Sequence, residues 1–198
     1  MYSSKKKGLR FSFNAPVTLI FSALCLIACV IIQVAGNSAV RAVFSVYRAL
    51  LSDPLTWVRC VTHVLGHAGW DHLIGNLMFI LLLGPMIEEK YGSKNTVIII
   101  LVTAVVTGAV NMIFFPRVAL LGASGVVFAF ILISSVTVRE DNAIPITFVL
   151  VALLYLGREI YDGITAKDDV SQMAHVIGGA VGSVLGFLLG KTKKKDRF

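Results

Sequence analysis

The stretch PRVALLGASGVVFAFILISSVTV, residues 116–138, places Gly122-Ala123-Ser124-Gly125 at the start of a long apolar run. A proline ends the preceding apolar run, and the run after Gly125 is too apolar for a soluble surface. Glycines on both sides of this segment let another backbone or a substrate approach closely, since they present no side chain. Membrane helices also use small residues of this kind for close packing. The tetrapeptide alone therefore leaves a reactive serine and a packing site both open.

The composition of the whole chain indicates a membrane protein. The chain has 198 residues, about the size of one domain, and 57% of them are hydrophobic while only 15% are charged. Basic residues cluster before the first apolar run, at 5–7 and 10, and after the last, at 191–197. End clusters of this kind are typical of cytoplasmic flanks of membrane spans. No basic patch is interleaved with aromatic residues, so a nucleic-acid partner is not predicted.

Apolar run length and periodicity predict six membrane-spanning helices. Their expected ranges are 15–35, 71–87, 96–115, 122–138, 144–156 (or to 160) and 172–190. The first run is interpreted as a span rather than a signal peptide, because it is longer than a usual apolar signal region. Two connections are predicted on the outer side: an interfacial helix over 38–51 that ends at Asp53-Pro54, and a lid or ordinary connection over 162–171.

An even number of spans places both termini on one side, and the basic flanks make it the cytoplasmic side. In this arrangement lysine and arginine are about twice as frequent inside as outside. The predicted fold is an all-α polytopic membrane protein with a cytoplasmic segment 1–14, a six-helix membrane domain 15–190 and a cytoplasmic tail 191–198. The paired broken helices of an inverted-repeat transporter are missing from the pattern.

Polar residues cluster at one depth, near the predicted outer ends of three spans. His72 and Asn76 are four residues apart and share a helical face, Ser124 begins span four, and His175 lies about one turn into span six. Polar side chains at such depth are costly and usually functional. A channel or transporter is disfavoured, because its polar groups would line a path across the bilayer.

Span six carries a stripe of glycines at every fourth position, namely Gly178, Gly182, Gly186 and Gly190. Such a stripe lets a partner helix approach closely, and span four is the expected partner. Close packing at Gly178 would bring the His175 imidazole towards the Ser124 hydroxyl. A serine hydroxyl becomes a good nucleophile when a base removes its proton, and imidazole has a suitable pKa. No carboxylate is an obvious third member, so a Ser/His dyad is predicted.

The oxyanion formed in such a reaction needs hydrogen-bond donors already in place. The Asn76 amide, the His72 imidazole and the Ser124 backbone N–H are the predicted donors. His63 and His67 are predicted to bind loop backbone, with a metal site that includes His72 as the alternative. No carboxylate or cysteine joins these histidines at ligand spacing, so neither a metal nor another cofactor is predicted. Packing roles are predicted for the cysteines, Cys25, Cys29 and Cys60.

One pattern combines Trp57-Val58-Arg59, Thr62-His63, His67, His72-Leu73, Asn76, Gly84, Glu88, Gly122–Gly125 and Ala174–Gly178. It resembles the rhomboid family of intramembrane serine proteases, in the minimal six-helix bacterial form, over roughly residues 15–190. The resemblance implies Ser124 as nucleophile, His175 as base, and an oxyanion hole of His72, Asn76 and the Ser124 amide. It also implies transmembrane segments of other proteins as substrates, and a bacterial inner-membrane location with the site open to the outer side.

Supporting positions in the same pattern are Gly122, Gly125, Phe128, Gly178, Arg59 and Glu88. Arg59 and Glu88 are expected to hold loops on opposite sides of the membrane. Two positions depart from the family: Val58 separates tryptophan from arginine, and Phe128 stands where many relatives have a tyrosine that packs on the histidine. The remaining alternative is an inactive relative that only binds membrane helices, but such members usually lack the serine or the histidine.

Overall fold

The computed structural model describes residues 12–36, 38–136, 143–165 and 169–190. Within these ranges the chain is helical, and its only β-type pairing is a single bridge between Val46 and Leu120. The helices are α1 (Pro16–Ala35), α2 (Ser38–Val43), α3 (Pro54–Thr62), α4 (Trp70–Tyr91), α5 (Ser93–Phe114), α6 (Ser124–Val136), α7 (Ile146–Thr165) and α8 (Asp169–Gly190). The predicted all-α polytopic fold is therefore confirmed. The basic clusters at both ends of the sequence lie outside the described residues.

The six predicted spans correspond to α1, α4, α5, α6, α7 and α8. Among the described residues, four helices are long and apolar enough to cross a membrane: α1, α4, α5 and the Met173–Gly190 part of α8. The apolar helical stretches Ser124–Val136 and Ile146–Tyr155 are shorter. Many large hydrophobic side chains on α1, α4, α5 and α7 are exposed, as expected for helices that contact lipid.

The short helix α6 occupies the centre of the bundle. It contacts α4, α5, α7 and α8, and every side chain from Val126 to Ile133 is buried. A helix enclosed on all sides needs no polar face, which explains why its sequence is uniformly apolar. Ser124, at the start of this helix, is only half-buried. The serine therefore lies at the first residue of the central helix, where it is only partly enclosed.

The connection between α1 and α4 differs from the predicted interfacial helix. Helix α2 ends at Val43, and the following chain is extended, with backbone hydrogen bonds of 2.8 and 2.9 Å joining Val46 to Leu120. Asp53 then caps α3, since its carboxylate accepts from the Leu55 N–H at 3.0 Å, and Pro54 takes the first helical position. Aspartate followed by proline is a helix-start signal. The prediction that this pair ends a helix is therefore wrong.

The predicted connection over 162–171 is also largely helical. Helix α7 continues to Thr165 and α8 already begins at Asp169, while residues 166–168 lie outside the described part of the chain. Leu156, Ile160 and Ile164 repeat every four residues, so the apolar pattern of α7 continues past its predicted end. The stretch is therefore not the long lid that the sequence interpretation allowed.

All three cysteines are buried and free, as predicted. The Cys25 thiol lies 3.8 Å from the Val64 carbonyl, at the contact between α1 and the segment that precedes α4.

Candidate active site

Ser124 is presented by a tight connection between α5 and α6. Gly122 adopts a φ of 134°, in the region that favours glycine, and its N–H donates to the His63 carbonyl at 2.9 Å. A Cβ at position 122 would lie 2.9 Å from His72 Nε2 and 3.8 Å from the Ser124 Oγ. The glycine is therefore required for its conformation and for space. The same geometry shows that the His72 ring and the serine hydroxyl flank the same point.

The glycine stripe of α8 packs directly on α6. A Cβ at Gly178 would lie 2.8 Å from the Cα of Gly125, and one at Gly182 would lie 2.5 Å from the Cα of Ala129. These distances leave no room for a side chain, so the two backbones are in contact. The predicted packing of span six on span four is confirmed. The contact at Gly178 lies one residue after Ser124 on α6 and three residues after His175 on α8.

The His175 imidazole stacks on the ring of Phe128. The ring centroids are 4.4 Å apart and the planes differ by 7°. Phe128 in turn meets Tyr155 of α7 edge to face, with centroids 6.0 Å apart. Next to His175, the Ala174 carbonyl lies 3.4 Å from where a Cβ of Gly125 would be. The expected ring contact is thus present, and it holds the half-buried imidazole on the side of α6 that carries Ser124.

Helix α4 supplies the two side chains predicted as oxyanion donors. His72 is half-buried against Gly122, and Asn76 is buried one turn further along the helix. The Asn76 Nδ2 donates to the His72 carbonyl at 3.0 Å, which uses one of its two N–H donors. The backbone N–H of Ser124 opens a helix, where the first N–H groups have no partner within the helix. All three predicted donors therefore belong to the segments that surround the serine.

His63 and His67 are buried in the segment between α3 and α4. The Nδ1 of His63 donates to the Arg59 carbonyl at 3.1 Å, and its Nε2 lies 3.4 Å from the Thr107 hydroxyl. His67 donates from Nδ1 to the Leu65 carbonyl at 3.0 Å. Burial lowers the pKa of each imidazole from 6.5 to about 4, so both rings are neutral at pH 7. His67 therefore binds the backbone of the connection between α3 and α4, as predicted, whereas His63 binds the backbone of helix α3.

The ring of His67 also touches His72 edge to face, with centroids 5.0 Å apart. The described residues contain no group of three or more His, Cys, Asp or Glu side chains arranged to hold a metal ion.

Comparison with known proteins identifies the family. Residues 54–192, which include every predicted catalytic and oxyanion position, match the family model described as Rhomboid domain. The chain belongs to the rhomboid family of intramembrane serine proteases. The resemblance that the sequence pattern indicated is thereby confirmed.

Curated rhomboid relatives come from plants, bacteria and animals. The chain is 32% identical over 167 residues to Rhomboid-like protein 11, chloroplastic, of Arabidopsis thaliana, covering 77% of this chain and 59% of the relative. It is 26% identical over 186 residues to Rhomboid protease GlpG of Haemophilus influenzae, covering 91% and 94%. It is 27% identical over 171 residues to Rhomboid-related protein 2 of Mus musculus, covering 74% and 57%. The chain thus spans less than two thirds of the length of the plant and mouse relatives.

In this rhomboid chain Arg59 holds the segment from α2 to α3 together. Its Nε donates to the Ala42 carbonyl at 2.9 Å, its guanidinium lies 3.7 Å from the Asp53 carboxylate, and it sits 4.6 Å above the Tyr47 ring. These contacts join α2, the extended stretch and α3. Arg59 is therefore placed to support the segment that carries His63 rather than to contact a substrate bound at Ser124.

Glu88 lies near the other end of α4 and caps α1. Its carboxylate accepts from the Val17 and Thr18 N–H groups, both at 3.0 Å, and from the Ser93 hydroxyl at 2.7 Å. Ala15, the residue before α1, makes no side-chain cap of its own. Glu88 therefore stabilises a helix start instead of a loop, and it does not join the group around Ser124.

Two residues near the site were not singled out from the sequence. Asn111 of α5 donates to the Val46 and Val118 carbonyls at 3.1 and 3.0 Å, and so anchors the chain that leads to Ser124. An asparagine within an apolar span is a signal that could have identified it. Tyr155 lies behind Phe128, and nothing in the sequence indicates this contact.

Proposed function

We propose that this rhomboid chain is a serine endopeptidase that cleaves transmembrane segments of other membrane proteins, with Ser124 as nucleophile and His175 as general base. The observation that carries the proposal is the backbone contact between Gly125 and Gly178. It joins the two helices beside the residues that bear the hydroxyl and the imidazole. The stacking of His175 on Phe128 supports the same assignment, because it fixes the imidazole against α6.

In the proposed reaction the Ser124 Oγ bonds to the scissile carbonyl carbon while its proton passes to the His175 imidazole. The bond from that carbon to the peptide nitrogen then breaks, and the imidazolium gives its proton to the leaving amine. Water attacks the acyl ester, loses a proton to His175, and releases the carboxylic acid product. The proton then returns to the Ser124 Oγ, which restores the free enzyme.

Three hydrogen-bond donors are proposed to stabilise the negative charge on the tetrahedral oxygen. These are the Ser124 backbone N–H, the His72 imidazole and the second N–H of the Asn76 amide, whose first N–H is bound to its own helix. Donors that are already fixed in place stabilise the transition state without the cost of reorganising at that moment. The confined position of Asn76 suits this role, since the residue is only 6% exposed.

We place the substrate between α4 and α7. Both helices pack on α6, while close packing of one on the other is absent from the described residues, and both expose large apolar side chains. A peptide bond inside a helix is hydrogen-bonded and shielded, so the substrate must unwind near its outer end, where small or helix-breaking residues favour cleavage. The proposed location is the bacterial inner membrane, with both termini cytoplasmic and water reaching the site from the outer face.

The test is labelling with a fluorophosphonate probe, followed by mass-spectrometric mapping of the modified residue. We expect label on Ser124, and we expect Ser124→Ala and His175→Ala to abolish both labelling and cleavage without unfolding the protein. Ser135→Ala is the matched control, since this serine lies on the same helix and binds the Leu132 carbonyl at 2.6 Å. Label that persists in either site variant contradicts the dyad. If the folded wild-type chain takes no label, the protein is instead an inactive relative that only binds membrane helices.

A further inference from the structure

A groove runs along the outside of the bundle between α1 and α5, away from Ser124. It has a volume of about 270 Å³ and is lined by apolar side chains. Its floor is formed by buried residues, namely Phe21, Val64, Ile100 and Ala104. Its two rims are exposed: Ile20 and Leu24 on α1 are 60% and 44% exposed, and Val97 and Leu101 on α5 are 39% and 42% exposed. The groove therefore opens towards the lipid.

The groove extends through only half of the membrane. The Val64 carbonyl lies beside Cys25, which is near the middle of α1, so the segment that contains Val61, Val64 and Leu65 closes the groove at that level. Below this roof the rim on α1 runs from Val17 to Leu24, which is about 10 Å at 1.5 Å per residue. One leaflet of the hydrocarbon core is about 15 Å thick. A spanning helix would meet the roof, whereas a single lipid tail can lie along the groove for roughly two thirds of its leaflet.

The open end of the groove lies where α1 and α5 begin, and the charge there is positive. Lys94 is exposed in the first turn of α5, and neither helix has an acidic residue in its first turn. Lysines 5–7 and Arg10 precede α1 in the sequence. Glu88 already binds the first N–H groups of α1, and the next residue, Glu89, is exposed on the same turn of α4. Among the described residues Lys90 and Lys94 balance these two acids, and the N-terminal ends of α1 and α5 add partial positive charge, so this end favours an anionic group.

We propose that this groove binds one tail of an anionic phospholipid from the leaflet in which α1 begins, with the lipid headgroup beside Lys94. Under the topology proposed above, this is the cytoplasmic leaflet. Neighbouring lipid tails are as apolar as the groove, so the hydrophobic effect gives little preference for the site. The shape of the groove therefore retains the lipid tail, and the positive charge at its open end selects an anionic headgroup. The site does not depend on proteolysis, so we expect a chain that carries Ser124→Ala to bind the same lipid.

The experiment uses the full chain in nanodiscs that contain equal amounts of phosphatidylglycerol and phosphatidylcholine. One of the two lipids at a time carries a photoreactive group in its tail, and crosslinks are mapped by mass spectrometry. We expect crosslinks concentrated on the groove residues of α1 and α5, and several-fold more of them from phosphatidylglycerol. Leu101→Trp should reduce them several-fold by covering the groove. Val102→Trp is the matched control, since this neighbouring residue is 36% exposed and lies outside the groove.

A second arm tests the headgroup. Lys94→Gln should bring the ratio of the two lipids close to one, while Arg117→Gln, which removes an exposed charge in the connection between α5 and α6, should leave it unchanged. Circular dichroism checks the fold of each variant, and Ala104→Leu replaces Leu101→Trp if that variant unfolds. Crosslinks spread evenly over all lipid-facing helices, equal labelling by both lipids in the wild type, or a protein helix captured in the groove would overturn the proposal.

Discussion

At the scale of single residues, the Asn76 amide combines a structural hydrogen bond with the catalytic role that we propose for it. It binds the His72 carbonyl one turn earlier, and Asn95 makes the same type of bond to the Tyr91 carbonyl at 2.8 Å, far from Ser124. We expect Asn76→Ala to lower kcat by roughly 10- to 1000-fold, because one oxyanion donor is lost.

Asn95→Ala is the control for this prediction, since it removes the same local bond without touching the site. It should leave kcat for cleavage of a transmembrane substrate almost unchanged. Equal losses in the two variants would mean that Asn76 acts only through helix stability.

The stack of Phe128 on His175 gives a second prediction at this scale. Phe128→Tyr should keep activity, because the ring that contacts the imidazole is retained. Phe128→Leu should lower kcat, because it removes the ring that holds the imidazole. Phe148→Leu is the control, since Phe148 of α7 meets Phe187 of α8 edge to face, with ring centroids 5.2 Å apart. An unchanged kcat in Phe128→Leu, or a collapse in Phe128→Tyr, would contradict the proposed contact role.

The buried His63 gives a pH dependence of stability. Its pKa is about 4 in the folded chain and 6.5 when exposed, so between these values the unfolded state binds more protons than the folded state. The contribution of His63 to the free energy of unfolding is therefore fully present above pH 6.5 and is lost as the pH falls towards 4. Between pH 7 and pH 5 the loss is on the order of 2 kcal/mol for one such histidine.

Thermal unfolding of the full chain in detergent at pH 7 and pH 5 measures this effect. We expect the drop in Tm on acidification to be smaller in His63→Gln than in the wild type, because glutamine does not titrate in this range. Some drop should remain, since His67 is also buried with a lowered pKa. An identical drop in both proteins would show that His63 does not carry the dependence.

At the scale of helices, α8 can contact α6 closely because the contact positions on α8 are glycines, which have no side chain. Gly178→Val should disrupt it, because a Cβ there would overlap the Gly125 backbone, and probe labelling and Tm should fall together. Gly190→Val is the control within the same stripe, since nothing lies within 4 Å of a Cβ at that position. Both variants place a β-branched residue in α8, and the overlap with Gly125 arises at position 178 alone. Similar losses in both would exclude close packing as the cause.

Two helices differ in where the group that caps their first turn comes from. Asp53-Pro54 is a local signal that begins α3, and a stricter use of capping rules would have predicted it from the sequence. The start of α1 has no local cap and instead depends on Glu88, which is 71 residues away from Val17 in the sequence. Sequence rules concern neighbouring residues, so a cap supplied by another helix is beyond their reach.

At the scale of the whole molecule, a central apolar helix is surrounded by longer ones. Because α6 begins at Ser124 and is buried along its length, the serine lies within the bundle rather than on its surface. Helix α4 then brings His72 beside Gly122, and α8 brings His175 onto Phe128 of α6, from residues that are distant in the chain. The apolar groove between α1 and α5 belongs to the same arrangement, since Val61, Val64 and Leu65, which precede α4, line it together with those two helices.

The sequence by itself determined the apolar helices and their approximate limits, because apolar run length is a local property that lipid thickness imposes. It also indicated the family, which the comparison confirms, since Gly-Ala-Ser-Gly, the histidines and the glycine stripe stand in the sequence itself. Only the tertiary structure decided that Gly178 meets Gly125, that Phe128 lies flat on His175, and that Glu88 caps α1. Those contacts join residues far apart in the chain, and side-chain packing between helices selects them.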